Sequence, residues 1–155
     1  MKTTLISSLL AYFTALISIS GCSTTPQPPN SERLKRSYAL VSVIENGTIV
    51  YQEGAPSNIK PGYGQFSLDL SVPPTVRYRI SDGTSGTDLT TFVGSYRLQN
   101  DNTLILEGLN PQPTGTNGTI TFTISDLIDG TSVTLTRTTS DPKTGNSMNV
   151  YKLRG

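Results

Sequence analysis

Ile120-Thr121-Phe122-Thr123-Ile124 places three large apolar side chains on one side of an extended chain and threonines on the other. That period of two belongs to a β-strand with one buried face, and isoleucine, phenylalanine and threonine all suit a pleated surface. The same alternation recurs on both sides of it. Val133, Leu135 and Arg137 oppose Thr134, Thr136 and Thr138; Val76, Tyr78 and Ile80 oppose Arg77 and Arg79; Phe66, Leu68 and Leu70 oppose Ser67, Asp69 and Ser71. Between these runs lie turn formers: Asn46-Gly47, Asn100-Asp101-Asn102 and Asp129-Gly130, of which Asn-Gly is the strongest hairpin signal.

Further strands are expected around Tyr38, Leu40 and Ser42, at Thr48 to Tyr51, at Phe92 to Leu98 with Gly94 as a bend, at Leu104 to Leu106 and at Met148 to Leu153. Pro73-Pro74 breaks a strand, because proline has no ladder donor. No segment sustains an apolar repeat at helical spacing. The expectation is all-β: a single antiparallel meander of about eight or nine strands closing into a barrel, or alternatively a β-sandwich. A barrel leaves no open edge on which chains could pair.

The N-terminus has a different pattern. Lys2 precedes an apolar run from Leu5 to Ile19, and Ile19-Ser20-Gly21-Cys22 follows with small residues. Basic start, apolar middle and small-residue end make a secretory signal, too short for a hydrocarbon core that needs about 20 residues. Residues 1–21 therefore read as a signal peptide, residues 22–35 as a proline-containing tether and residues 36–155 as the folded domain. Cys22 is the only cysteine, so it has no disulfide partner in the chain. Ile19 to Cys22 resembles the lipobox of bacterial lipoproteins, which implies acylation of the Cys22 thiol, cleavage before it and a membrane partner reached through lipid. The resemblance implies a cell-envelope location. Ser23, where an aspartate favours retention at the inner membrane in enterobacteria, points to the periplasmic face of the outer membrane.

Composition removes many functions. Without residues 1–21 the chain carries eleven basic and eleven acidic residues, so nucleic acid is not an expected partner. Histidine is absent, which excludes Ser-His-Asp and Cys-His nucleophile arrangements and His/Cys zinc sites. No two carboxylates are placed as a catalytic pair. No enzyme activity, metal or cofactor is expected. Residues 82–88 hold two carboxylates and two glycines but lack the ligand spacing of a calcium loop, and read as a hairpin turn.

Three stretches resemble the lipocalin-like domains of bacterial secreted proteins and lipoproteins. They are Leu34 to Ser42; Val93-Gly94-Ser95-Tyr96-Arg97-Leu98 with Asn102 to Leu106; and Phe122-Thr123-Ile124 through Val133-Thr134-Leu135 to Val150-Tyr151-Lys152-Leu153. Arg36 and Tyr38 stand where that group's opening pattern has glycine and tryptophan. The resemblance implies a barrel that binds a small apolar or amphipathic ligand.

Candidate ligand residues follow from the inward face: Tyr78, Tyr96 and Phe122 as cavity lining, and Arg137 as a cation for a ligand carboxylate. Arg137 has two plainer readings, a head in water at the barrel mouth or a structural pair with a carboxylate. Glu107 is the expected partner if it shares the inward face, and a surface residue if it does not. The inward aromatics either line a hollow barrel or fill a solid one. A solid barrel would make the chain a protein-interaction module of the envelope, contacting another component through loops at 53–64, 110–118 and 139–146.

Overall fold

The computed structural model describes residues 26–81, 89–129 and 131–155, with only the backbone of Lys143. Cys22, the signal segment and the expected turn at 82–88 lie outside the described residues.

Nine antiparallel strands occur in chain order: β1 (Ser37–Glu45), β2 (Thr48–Gln52), β3 (Ser67–Asp69), β4 (Thr75–Ile80), β5 (Thr90–Gln99), β6 (Thr103–Asn110), β7 (Ile120–Ile128), β8 (Ser132–Arg137) and β9 (Asn149–Arg154). Neighbours pair in sequence order from β3 to β9, and β1 pairs both β3 and β9. Eight strands therefore close a barrel, and β2 is an extra strand on β1. The sandwich alternative does not form.

Strand β1 serves two neighbours on one edge: Ser37 to Ala39 pair with β3, while Ser42 to Glu45 pair with β2. The β1–β2 turn has Asn46 at φ 47° and Gly47 at φ 82°, positive values at both central positions as a type I′ hairpin requires. The loop after β2 covers that strand's free edge, because Lys60 N donates to the Val50 carbonyl at 2.9 Å and Asn58 bonds both N–H and C=O of Gln52.

Two irregularities change which side chains face inward. In β1 the register against β9 shifts between Leu40 and Ser42. The inward set is therefore Tyr38, Leu40, Val43 and Glu45, rather than the simple alternation Tyr38, Leu40, Ser42. In β6, Glu107 to Asn110 spans three residue steps opposite the two steps from Ser95 to Val93. Gly108, at φ 63°, absorbs the extra residue. Leu109 thereby joins Leu104 and Leu106 in the core, and Glu107 lies on the outer face by regular alternation with those two. Gly94 faces this bulge, and a Cβ there would come within 2.6 Å of the Glu107 carbonyl oxygen.

One end of the barrel is closed by α1 (Asn30–Arg33) and the fully buried Leu34. This short helix is tied to two turns at that end. Asn30 Nδ2 donates to the Asp101 carbonyl at 2.7 Å, and Arg33 bonds both the Leu127 carbonyl and the Asp129 carboxylate. The Arg33 bond holds the Asp129 carboxyl below its ordinary range. Residues 30–35, expected in the tether, thus belong to the folded body. Local polar bonding and one buried leucine, too few residues to give a helical repeat, hold them there. Among the described residues, no helix is long and apolar enough to cross a membrane.

Candidate functional site

The barrel interior is the place where a ligand would sit, and it is occupied by rings. Tyr151 of β9 stacks on Phe66 (centroids 5.6 Å apart, planes at 18°) and meets Tyr63 and Phe122 edge-on at 6.5 and 6.0 Å. Phe66 contacts Tyr78 at 5.5 Å, and Tyr78 contacts Phe92 at 5.8 Å. Six aromatic side chains from β4, β5, β7, β9 and the segment before β3 thus form one connected cluster. All six are buried, and edge-on and offset ring pairs at these separations are favourable beyond the area they bury.

Burial sets the chemistry of the phenols. It pushes Tyr151 up to about 12 and Tyr63 and Tyr78 higher still. Nearer the closed end, Tyr38 is pushed up to about 12 and Tyr96 is also raised, both by burial. Tyr96 donates to the Leu70 carbonyl at 2.9 Å, and Tyr38 to the Leu34 carbonyl at 3.4 Å. These hydroxyls are neutral anchors, not nucleophiles.

Arg137 sits where alternation places it, on the inward face beside Phe122, and is only 4% exposed. Its partner is Asp141, in the loop after β8, and the two side chains are almost completely buried. Glu107 is elsewhere: on the outer face with its side chain 41% exposed, meeting Arg97 at 3.3 Å. Arg137 therefore pairs with Asp141 and not with Glu107, which lies on the outer face by simple alternation with the inward Leu104 and Leu106. Of the other candidates, Tyr78 and Phe122 belong to the ring cluster, while Tyr96 is bonded at the closed end.

Around the Arg137–Asp141 pair the loop at 138–148 folds back on itself. Asp141 N donates to the Ser147 carbonyl at 2.9 Å, and Asn146 N to the Asp141 carbonyl at 2.8 Å. Ser147 Oγ donates to Asn149 Oδ1 at 2.7 Å, and Asn149 Nδ2 donates to the Tyr151 hydroxyl at 3.1 Å. The loop at 110–119 packs against this one: Gly115, at φ 73°, lies so close to Pro142 that a Cβ would fall 2.5 Å from the ring. The two loops together cover the end of the barrel opposite α1.

Beneath them is a cavity of about 20 Å³, lined in part by Tyr78, Phe92, Thr116, Arg137 and Asp141. Arg137 Nε is buried without a hydrogen-bond partner. A cavity of this size admits roughly one water molecule, which is what that N–H needs. Ligand pockets run to several hundred cubic ångströms. Concavities of about 250 and 230 Å³ do exist, but on the outer surface, beside Val72 and Arg77 and beside Pro28 and Arg36.

A second buried carboxylate lies where β1 ends. Glu45 accepts from the Tyr63 hydroxyl at 2.7 Å and from Lys60 Nζ at 2.6 Å, so the loop after β2 is latched to the barrel wall. Sequence reasoning missed Asp141, Asn149, Glu45 and Tyr63. Asp141 had one available signal, its position four residues after an inward arginine across a single turn. Tyr63, set between two glycines, gave none of the periodic signal that marks a core residue. Among the described residues there is no cluster of three or more metal-ligating side chains. Comparison with known proteins found no matching family model, no matching curated protein and no matching solved structure.

Proposed function

We propose that this chain is a lipid-anchored protein of the bacterial cell envelope whose lipocalin-like barrel is a solid interaction module. Cys22 carries the lipid, after cleavage of residues 1–21, and attaches the domain to the periplasmic face of the outer membrane. The barrel then presents its loops to another envelope component. The filled interior supports the reading: six rings pack inside the barrel, and the cavity beside them is about 20 Å³, against several hundred for a ligand pocket. Function on such a scaffold passes to its surface loops. Three large exposed apolar side chains, Ile49, Ile59 and Met148, surround the β1–β2 hairpin and its following loop, and give that surface a contact of the kind protein partners cover.

Two experiments test it. Metabolic labelling with a fatty-acid probe should mark the protein and be lost in Cys22→Ala; label that persists in the variant contradicts the anchor. A photoreactive amino acid at Ile59 or Thr114, activated in living cells, should give a discrete protein adduct. Adducts to small molecules alone, or none from either position, contradict the interaction module.

A further inference from the structure

The end of the barrel closed by α1 differs from the loop-covered end in three ways that point to one partner. It is where the chain leads back to Cys22: Pro28 lines the 230 Å³ concavity there together with Glu32, Arg33, Arg36 and Asp129. Six residue steps separate Pro28 from Cys22, a reach of at most about 20 Å in an extended chain. The same end carries two of the most exposed large apolar side chains. Val72 (67% exposed) is in the β3–β4 turn and Ile128 (60% exposed) enters the β7–β8 turn, on opposite sides of the rim. Two of its cations are matched by carboxylates of the same end. Lys35 pairs with Glu32 and Arg33 with Asp129, while Arg36, whose charge reaches the Asp129 carboxylate already held by Arg33, and Asp101 make no ion pair among the described residues.

We propose that this end is a membrane-contact face that rests on a phospholipid surface, with Val72 and Ile128 entering the headgroup–acyl boundary and Arg36 meeting a lipid phosphodiester. The inference rests on Cys22 lipidation, because a short tether holds this face, and not the opposite one, against the bilayer. Apolar tips at the interface combined with a nearby cation are the usual means of surface attachment. A docked barrel would have a fixed orientation, with its hairpin and long loops turned away from the lipid.

The chain contains no tryptophan, so a single introduced one reports its own surroundings. Val72→Trp, Ile128→Trp and, at the opposite end, Met148→Trp would each be made in the full chain. The lipidated product would be reconstituted into phosphatidylethanolamine–phosphatidylglycerol vesicles with brominated acyl chains. The expected result is flotation of all three, loss of emission at positions 72 and 128 but not 148, and recovery at 128 when Arg36→Glu is added. Flotation with no loss at 72 and 128 overturns the contact face and leaves the anchor standing. Protein that does not float overturns both. Emission at 72 and 128 that is already shielded without lipid means that a second copy covers this face, and overturns it as well.

Discussion

Tyr151 stacks on Phe66 with ring centroids 5.6 Å apart and planes 18° from parallel, while its edges meet Tyr63 and Phe122. It is thus the junction of the cluster that fills the barrel. Tyr151→Ala would open a void that the strands cannot close, at a cost of about 3–5 kcal/mol. Urea unfolding followed by far-ultraviolet circular dichroism measures this. A loss below about 1 kcal/mol would show that the ring lines free space rather than filling it.

The Arg137–Asp141 pair is buried on both sides. Asp141→Ala leaves a buried guanidinium without its counter-charge and should destabilise by about 3–5 kcal/mol. Replacing both partners, Arg137→Met with Asp141→Leu, removes both desolvation costs and should restore most of that loss. The same unfolding assay decides it: a double variant no better than Asp141→Ala would mean that the pair does more than neutralise itself.

Two glycines of the β5–β6 hairpin should respond differently to alanine. At Gly94 the new Cβ collides with the Glu107 backbone, so the bulge must distort and the loss should be about 2 kcal/mol or more. At Gly108 the space is open and only the positive φ is unfavourable, a cost of about 1–2 kcal/mol. Thermal melts of the two variants should rank Gly94→Ala as the less stable.

Alkali should unfold the protein through its tyrosines. Burial raises the folded-state values of Tyr38 and Tyr151 to about 12, and of Tyr63 and Tyr78 further, whereas an unfolded tyrosine titrates near 10. The folded state then holds more protons in this window. Stability is complete below about pH 10 and falls as pH rises through about 12. Phenolate absorbance should therefore appear together with loss of sheet signal. A phenolate step completed before any unfolding would contradict the burial of these rings.

The strands and the barrel were legible because alternation is a local property of the sequence. Ile120 to Ile124 and Val133 to Arg137 face as their spacing dictates, and Arg137 was identified as inward from that alone. The departures have a common cause. A bulge at Gly108 or between Leu40 and Ser42 adds one residue against a partner strand, and that partner is not visible in the strand's own pattern. So simple alternation misplaces Ser42 and Val43 in β1, while Glu107 takes the surface placement, one of the two it could have, and Arg137 pairs with Asp141 in the loop after β8. Tyr63 and Leu34 pack through single side chains in short irregular segments, where no period exists to read. Whether the interior was hollow or filled depended on how six rings interlock, which is a property of the assembled barrel.

The central claim, a barrel filled by its own side chains, is tested most directly by native mass spectrometry of the protein purified from its own membranes. The expected spectrum contains the lipidated polypeptide and no further small molecule, and its mass is unchanged when the sample is denatured. An additional mass that is present in the folded protein and released on denaturation would contradict the claim and restore a ligand to the barrel.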